Sequence, residues 1–484
     1  MRRAARAGAL LAFVAAAQAG PAEAARIAAD PALKPAFKTS IPDYTVRCRA
    51  GEPVRLSIDP PDRGPFVRSV ALAPGRAAAV RFRFGERRRT YRVRCLPADF
   101  PDWRARRYAK PEAGWYLLTP AKTKGLGYAG TPDSHGYAAI FDSHGVPVWW
   151  MRRKPPPFAA DLLPNGDVAW TNFVALSPAS DSFVERTLTG RFVRSYSTVG
   201  TSTNQHDFEL LPNGNALLIT YPPREHVDLS RFGGPKDAVV LDGEIQEVSP
   251  DGGLVWSWSS KDHVALEESE RWLRRQIAHP TIREYDGTPV YDLVHINSVE
   301  PSGPRLIFSA RYLEAVYAID RATRGIAWKL GGTHTPRSLA IHGDKLGAHE
   351  FGGQHDARIS PRLDGLGGRL LTVFDNGTLR GRAPRALAFR LDLRGRVASL
   401  VRSVRFAPAS KSVCCGSARL LAGQDWVISW GNTPWITEQG SHSQLVLTIE
   451  LRGKDWASYR AAPILRDQMT RGRLAGAMRA MYGG

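Results

Sequence analysis

Apolar and polar positions alternate with a period of two in short runs along most of this chain. Gly, Pro, Asp and Asn punctuate the runs, so the pattern predicts strands joined by tight turns. From residue 114 one phrase keeps returning: an apolar strand, an Asp/Gly turn and a Trp-bearing strand, then a further pair of strands about a Gly turn. It reads "AAIFDSHGVPVWW" then "DLLPNGDVAWTNF", and "VERTLTGRFVRSY" then "HDFELLPNGNALLITY". It continues as "IQEVSPDGGLVWSW" then "HINSVEPSGPRLIFSAR", and "VYAIDRATRGIAWKLGG" then "HDARISPRLDGLGGRLLTVFDNG". After "LAFRLDLRGRVASLV" and "GSARLLAGQDWVISWGN", the last copy, "LVLTIELRGKDWASY", has no second half, and "GWYLLTP" at 114–120 has no first half. A repeat of roughly 50 residues with complementary half-units at its ends predicts a circular array closed by joining those ends. The fold class expected is therefore all-β: a six-bladed β-propeller with a small N-terminal β-sandwich domain.

The sandwich is read from the short strands between 41 and 97, "YTVRCRAG", "PVRLSI", "RSVALAPG", "AAVRFRFG" and "TYRVRC". Ahead of them, "MRRAARAG", the short apolar run "ALLAFVAAAQAG" and Ala22-Glu23-Ala24 have the order of a secretory signal. The expected organisation is a signal peptide at 1–24, the β-sandwich at 25–100, the propeller at 101–464 and a basic, helical tail at 465–484. The stretch "LPADFPDWRARRYAKPEAG" reads as a Pro-rich polar linker. The segment 265–285, "ALEESERWLRRQIAHPTIREY", breaks the strand rhythm and reads as a helical insertion, more a solvated brace than a lid. No later run is long and apolar enough for a membrane helix. An exported protein, periplasmic or secreted and without an integral membrane segment, is expected.

Charge and cysteines sharpen this picture. The 484 residues carry a formal +20; residues 1–24 hold three Arg and one Glu, so the remainder carries +18. That balance favours anionic ligands. The arginines are scattered rather than gathered into one run with interleaved aromatics, so no nucleic-acid partner is expected. Cys48 and Cys95 lie in the matching phrases "YTVRCRAG" and "YRVRCLPAD" and are paired here as a disulfide. Cys414 and Cys415 are adjacent; they either form a vicinal disulfide or remain thiols. No cysteine spacing fits a zinc site, and no metal is expected.

Candidate chemistry comes from repeat phase. His206, His295 and His355 occupy equivalent positions in three successive repeats, and Arg311 ends the strand "RLIFSAR" beside His295. Equivalent positions of a propeller face one axis, so the four side chains should converge. The sequence resembles the arylsulfotransferases (arylsulfate sulfotransferases) over most of 113–450. The resemblance rests on "GWYLLTP", "AAIFDSHGVPVWW", "HDFELLPNGNALL", "HINSVEPSG", "LIFSARYLEAVYAIDRATRGIAWKLGG", "QHDARI" and "FDNG". It implies a six-bladed propeller that moves a sulfuryl group from a phenolic sulfate donor to a phenol acceptor without a nucleotide cofactor, by ping-pong chemistry through a sulfohistidine. Carried over by motif, His355 is the nucleophile, His206, His295 and Arg311 bind and polarise the sulfuryl group, and Asn376 in "FDNG" is a neighbour. No cofactor is implied.

Those residue types suit the chemistry. Sulfuryl transfer, like phosphoryl transfer, needs a nucleophile, fixed donors on the equatorial oxygens and an acid for the leaving oxygen. A neutral imidazole attacks without first losing a proton, and guanidinium offers several donors to sulfate oxygens. Either His206 or His295 could carry the proton. Most tryptophans belong to strand packing; Trp430 and Trp435, near a predicted blade end, are the candidates for stacking a phenol. An aryl-sulfate hydrolase on the same site and a non-catalytic secreted propeller binding an anionic or aromatic ligand are the competing readings. A quinone-dependent dehydrogenase lacks an acidic calcium cluster here.

Overall fold

A computed structural model describes residues 25–49, 51–124, 127–128, 134–172, 182–279, 284–285, 288–345, 351–363 and 367–483. The signal-like segment 1–24 lies outside the described residues. The chain divides into two compact units, Met1–Ala73 with Ala77–Leu96, and Pro74–Arg76 with Pro97–Gly484. Among the described residues, no helix is long and apolar enough to cross a membrane.

The first unit holds two three-stranded sheets. One joins Arg26–Asp30, Val54–Asp59 and Phe66–Val70; the other joins Asp43–Arg47, Arg87–Leu96 and Ala77–Phe84. The period-two pattern sets which face is buried. Val54, Leu56 and Ile58 are buried between exposed neighbours, as are Ala78, Val80 and Phe82. Asp43–Arg47 runs parallel to Arg92–Leu96, with Val46 opposite Cys95. That pairing carries Cys48 to Cys95, and the two form a disulfide with Cα atoms 5.6 Å apart.

The second unit is also all-β. Its main sheets are built mostly from antiparallel strands near one another in sequence, with Ala340–His342 added in parallel at the edge of the fifth. The second contains Pro157–Leu162, Val168–Asn172, Phe183–Arg186 and Phe192–Tyr196. The third contains Thr203–Leu210, Ala216–Thr220, Glu244–Val248 and Leu254–Ser259. The fourth contains Ile296–Ser302, Arg305–Ala310, Ala315–Asp320 and Ile326–Gly331. The fifth runs from His355–Ile359 through Leu371–Asp375 and Arg385–Asp392 to Val397–Val404. The sixth runs from Ser417–Leu420 through Trp426–Ser429 and Trp435–Gln439 to Leu445–Arg452.

The first sheet takes Trp115–Lys124, Gly136–Asp142 and Pro147–Arg153 from one end of the unit and Trp456–Ile464 from the other. The two orphan half-repeats thus meet, with Ile464 opposite Trp115. A second joint was not expected. Asp102–Arg107, within the stretch read as a linker, pairs antiparallel with Leu445–Arg452 at the edge of the sixth sheet. Its arginines hide a strand alternation whose inward residue, Trp103, is buried and donates its indole N–H to the Gly145 carbonyl at 2.8 Å. The first strands of the second to sixth sheets and Trp456–Ile464 neighbour one another in order, and the last of them adjoins the first.

Insertions between Pro223 and Asp292 leave this scheme. A hairpin of Pro223–Val227 and Ala238–Leu241 pairs in parallel with Thr288–Asp292 to make a small extra sheet. The helix Glu270–Ala278 packs beside it, with Trp272, Leu273 and Gln276 buried. The insertion is therefore not a solvated brace: its apolar residues at helical spacing face the protein, not water. A second helix, Arg471–Tyr482, ends the chain, capped by Thr470, whose hydroxyl accepts from Arg473 N–H at 3.2 Å.

Candidate active site

His206 lies within the first strand of the third sheet, His295 directly precedes that of the fourth, and His355 opens that of the fifth. Each strand is irregular there: strand register shifts between Thr203 and Phe208, between Ile296 and Ser298, and between His355 and Arg358. Bulges at such positions re-aim side chains. Two residues adopt left-handed backbone angles at these breaks, His295 at φ 55° and Asp356 at φ 55°. Strain of this kind collects at functional sites.

His355 is buried. Its Nδ1 lies 2.8 Å from Asn376 Oδ1 and 3.0 Å from the Gly353 carbonyl, both acceptors. The backbone N–H of Cys415 donates to Nε2 at 3.1 Å. A backbone N–H only donates, so Nε2 holds a lone pair and Nδ1 the proton. The Asn376 amide is itself fixed, because its Nδ2 donates to Ser412 Oγ at 2.8 Å and to the Cys415 carbonyl at 2.9 Å. Burial, then the charge of Arg311, hold the pKa of His355 well below its ordinary value, against the Asn376 hydrogen bond. The ring is a neutral imidazole with one defined tautomer.

The other two histidines are brought together, their ring centroids 4.7 Å apart. His206 Nδ1 lies 2.5 Å from Asn204 Oδ1. His295 Nδ1 lies 2.6 Å from a carboxylate oxygen of Asp292, and its ring centroid is 4.6 Å from that of Tyr312. Arg311 opens the turn after Arg305–Ala310, and its backbone N–H donates to the His295 carbonyl at 3.0 Å. Its guanidinium donates to the Val413 carbonyl at 2.6 Å and to Tyr312 Oη at 3.1 Å. It lies 5.0 Å from the Trp272 ring centroid and 5.1 Å from that of Tyr312. Its Nε is buried without a hydrogen bond. Arg311 is only 5% exposed, so a cation is held here in a dry setting by two rings and a carbonyl.

Next to each of two site histidines stands an aspartate that serves another purpose. Asp207 and Asp356 enter a buried ion network with Arg358, Arg419 and Arg460. Arg358 also donates to the Val299 carbonyl at 2.7 Å, and Arg460 to that of Asn297 at 2.6 Å. The network ties together innermost strands of the first, third, fourth, fifth and sixth sheets. Burial alone would raise the pKa of Asp356, but Arg419, Arg460 and Arg358 hold it low.

Trp430 and Trp435 are not among the groups gathered here. Trp430 is fully buried against Phe374 and Phe406 and donates to Thr437 Oγ1 at 2.9 Å. Trp435 packs on the same core, at Phe406. Cys414 and Cys415 are buried thiols, not a disulfide. Asn376 does join the site. Asn204, Asp292, Trp272, Tyr312 and the Cys415 N–H were missed. Asp292 had a signal, an acid three residues before a phase-matched histidine. Trp272 had none, since its contact depends on how the insertion folds back.

The comparisons with known proteins bear on this arrangement. No curated protein matches the chain. Among solved structures, a protein of unknown function from Bacteroides caccae is similar, with 14% identity, a TM-score of 0.40 and coverage of 73% of this chain and 99% of that one. A catalytically inactive virginiamycin B lyase from Staphylococcus aureus has 10% identity, a TM-score of 0.36 and coverage of 74% and 96%. AztD from Citrobacter koseri, in its apo form, has 9% identity, a TM-score of 0.32 and coverage of 73% and 98%. The family pattern described as Arylsulfotransferase (ASST) matches residues 170–452, a span that contains all three histidines, Arg311 and Asn376, and the chain belongs to the arylsulfotransferase family.

Proposed function

We propose that this protein is an arylsulfate sulfotransferase that moves a sulfuryl group from a phenolic sulfate ester to a phenol through a sulfated His355. The observation that carries the reading is the state of His355. Asn376 and Gly353 hold its Nδ1 proton, the Cys415 N–H marks the lone pair on Nε2, and burial with Arg311 keeps the ring neutral. In the first half-reaction Nε2 attacks sulfur, the N–S bond forms and the S–O bond to the phenol breaks. Arg311 meets charge on the sulfuryl oxygens, and the Cys415 N–H, freed from Nε2, can donate to one of them. A histidine protonates the leaving oxygen. In the second half-reaction an acceptor phenol loses its proton and attacks sulfur, and the N–S bond breaks.

The six sheets are read as the blades of a propeller, on the support of their adjoining innermost strands and the pairing of the first and last. The unit ending at residue 96 is read as the separate N-terminal sandwich. Export to the periplasm or beyond is proposed from the signal-like order of residues 1–24 and the Cys48–Cys95 disulfide.

The test is a burst experiment. With 4-nitrophenyl sulfate and no acceptor, the protein should release about one phenol per site and then slow, as in ping-pong catalysis. The trapped protein should gain one sulfuryl group, mapped to His355 at neutral or alkaline pH. Added phenol should restore turnover and yield its sulfate ester. His355→Ala should lose burst and adduct together. An adduct elsewhere would overturn the assignment of His355, and hydrolysis indifferent to phenol would make the protein a hydrolase.

A further inference from the structure

His206 and His295 touch one another, yet their supports differ in kind. Asn204, a neutral amide, holds Nδ1 of His206. A carboxylate, Asp292, holds Nδ1 of His295 at 2.6 Å. An amide oxygen orients a ring; a carboxylate orients it and also stabilises its protonated form. Asp292 is in turn gripped from the inserted helix. Its backbone N–H donates to Gln276 Oε1 at 2.8 Å, and its carbonyl accepts from Gln276 Nε2 at 2.8 Å. Both residues are buried. The same helix presents Trp272, whose ring stacks on Tyr312 with centroids 4.6 Å apart, and Tyr312 packs against His295.

We propose that Asp292, clamped by Gln276 of the helix Glu270–Ala278, is a positioning residue that makes His295, and not His206, the proton carrier between the two phenols. The inference rests on the sulfuryl-transfer reading above. With Nδ1 engaged by Asp292, proton exchange at His295 runs through Nε2. In the first half-reaction protonated His295 gives its Nε2 proton to the departing phenolate oxygen as the S–O bond breaks and His355 Nε2 bonds to sulfur. In the second, neutral His295 takes the proton of the acceptor phenol as its oxygen bonds to sulfur and the N–S bond breaks. One proton leaves and one returns, and His295 ends as it began. His206 is left to bind and orient the sulfuryl group. The insertion that interrupts the strand repeat is thus the outer support of the acid–base group.

The measurement is the burst rate for two donors: 4-nitrophenyl sulfate, whose phenolate leaves readily, and phenyl sulfate, whose phenol has a pKa near ~10 and needs the proton. Asp292→Asn should slow phenyl sulfate at least about tenfold, and 4-nitrophenyl sulfate less than about threefold. His295→Gln should repeat that selective loss. His206→Asn should slow both donors by the same factor. Gln276→Met, which keeps the carboxylate but loosens its clamp, should give the Asp292→Asn pattern in weaker form, and provides the answer if Asp292→Asn does not fold. Equal slowing of both donors by Asp292→Asn and Gln276→Met, or selectivity appearing only in His206→Asn, would overturn the inference while leaving a wild-type burst and His355 adduct intact. A wild-type protein without burst or adduct would instead overturn the sulfuryl-transfer reading on which it rests.

Discussion

Asp207 and Arg358 face one another across two sheets, with the carboxylate oxygens 2.8 and 2.7 Å from one guanidinium nitrogen. Asp207 also accepts from the Val299 N–H at 2.7 Å and from Arg460. Its neighbour in the chain is His206, so one dipeptide supplies both a site side chain and an anchor of the ion network beside it. Removing one partner of a buried pair leaves an uncompensated charge and costs about 3–5 kcal/mol. Asp207→Ala should therefore lower unfolding stability by that amount in urea titrations. Because Asp207 fixes the strand that carries His206, the variant should also lose burst rate under conditions where it remains folded.

Much of this was legible in sequence because a repeat converts phase into position. His206 could be placed beside His295 without knowing any contact, and the orphan halves at 114–120 and 445–459 announced that the ends meet. The disulfide followed from two matched phrases. What was not legible depends on insertions and on charge that mimics solvation. Asp102–Arg107 looked like a linker because four of its six residues are charged. Trp430 looked like a stacking platform because repeat position says where a strand ends, not which way an indole packs. The helix Glu270–Ala278 broke the repeat, so phase gave no place for Trp272 or Gln276.

The pH dependence of the burst follows from the depressed pKa of His355. Protonation would remove the Nε2 lone pair. Since burial and Arg311 hold the pKa well below the ordinary value of 6.5, the nucleophile stays competent as pH falls through ~6.5. The same depression contributes stability that is full above about 6.5 and lost as pH falls toward the folded-state value. Asn376→Asp should reverse this logic by setting a carboxylate at Nδ1. Its acid limb should move upward, and the burst at pH ~7 should fall at least about tenfold, or about 1.4 kcal/mol. Stopped-flow burst rates from pH ~5 to ~9 check both statements.

The disulfide of the first unit should be felt there alone. Cys48 and Cys95 are 47 residues apart in sequence, and closing such a loop restricts the unfolded chain by about 4 kcal/mol in the entropic account. Cys48→Ala/Cys95→Ala should lower the midpoint of unfolding of residues 25–96, followed by hydrogen exchange. Non-reducing peptide maps of the wild type should show the 48–95 linkage and thiols at 414 and 415. Two free thiols at 48 and 95 would remove the expectation.

Arg311 offers the sharpest separation of charge from shape. Its guanidinium lies near the faces of Trp272 and Tyr312, reaches the Val413 carbonyl and depresses the pKa of His355. Lys would keep a positive charge but lose the planar fork and much of the stacking. If sulfuryl oxygens in the transition state are met by that fork, Arg311→Lys should lower the burst rate at least about tenfold, equivalent to about 1.4 kcal/mol. The loss should fall on the rate of sulfation more than on donor affinity, because the charge that attracts the sulfate remains. Trp272→Leu removes one ring and keeps the fork, so it should let the guanidinium shift and reproduce part of the loss. Burst rates measured across donor concentrations separate the two effects. An Arg311→Lys variant with an unchanged maximal burst rate would show that Arg311 supplies charge and packing only, and that other donors meet the transferring group.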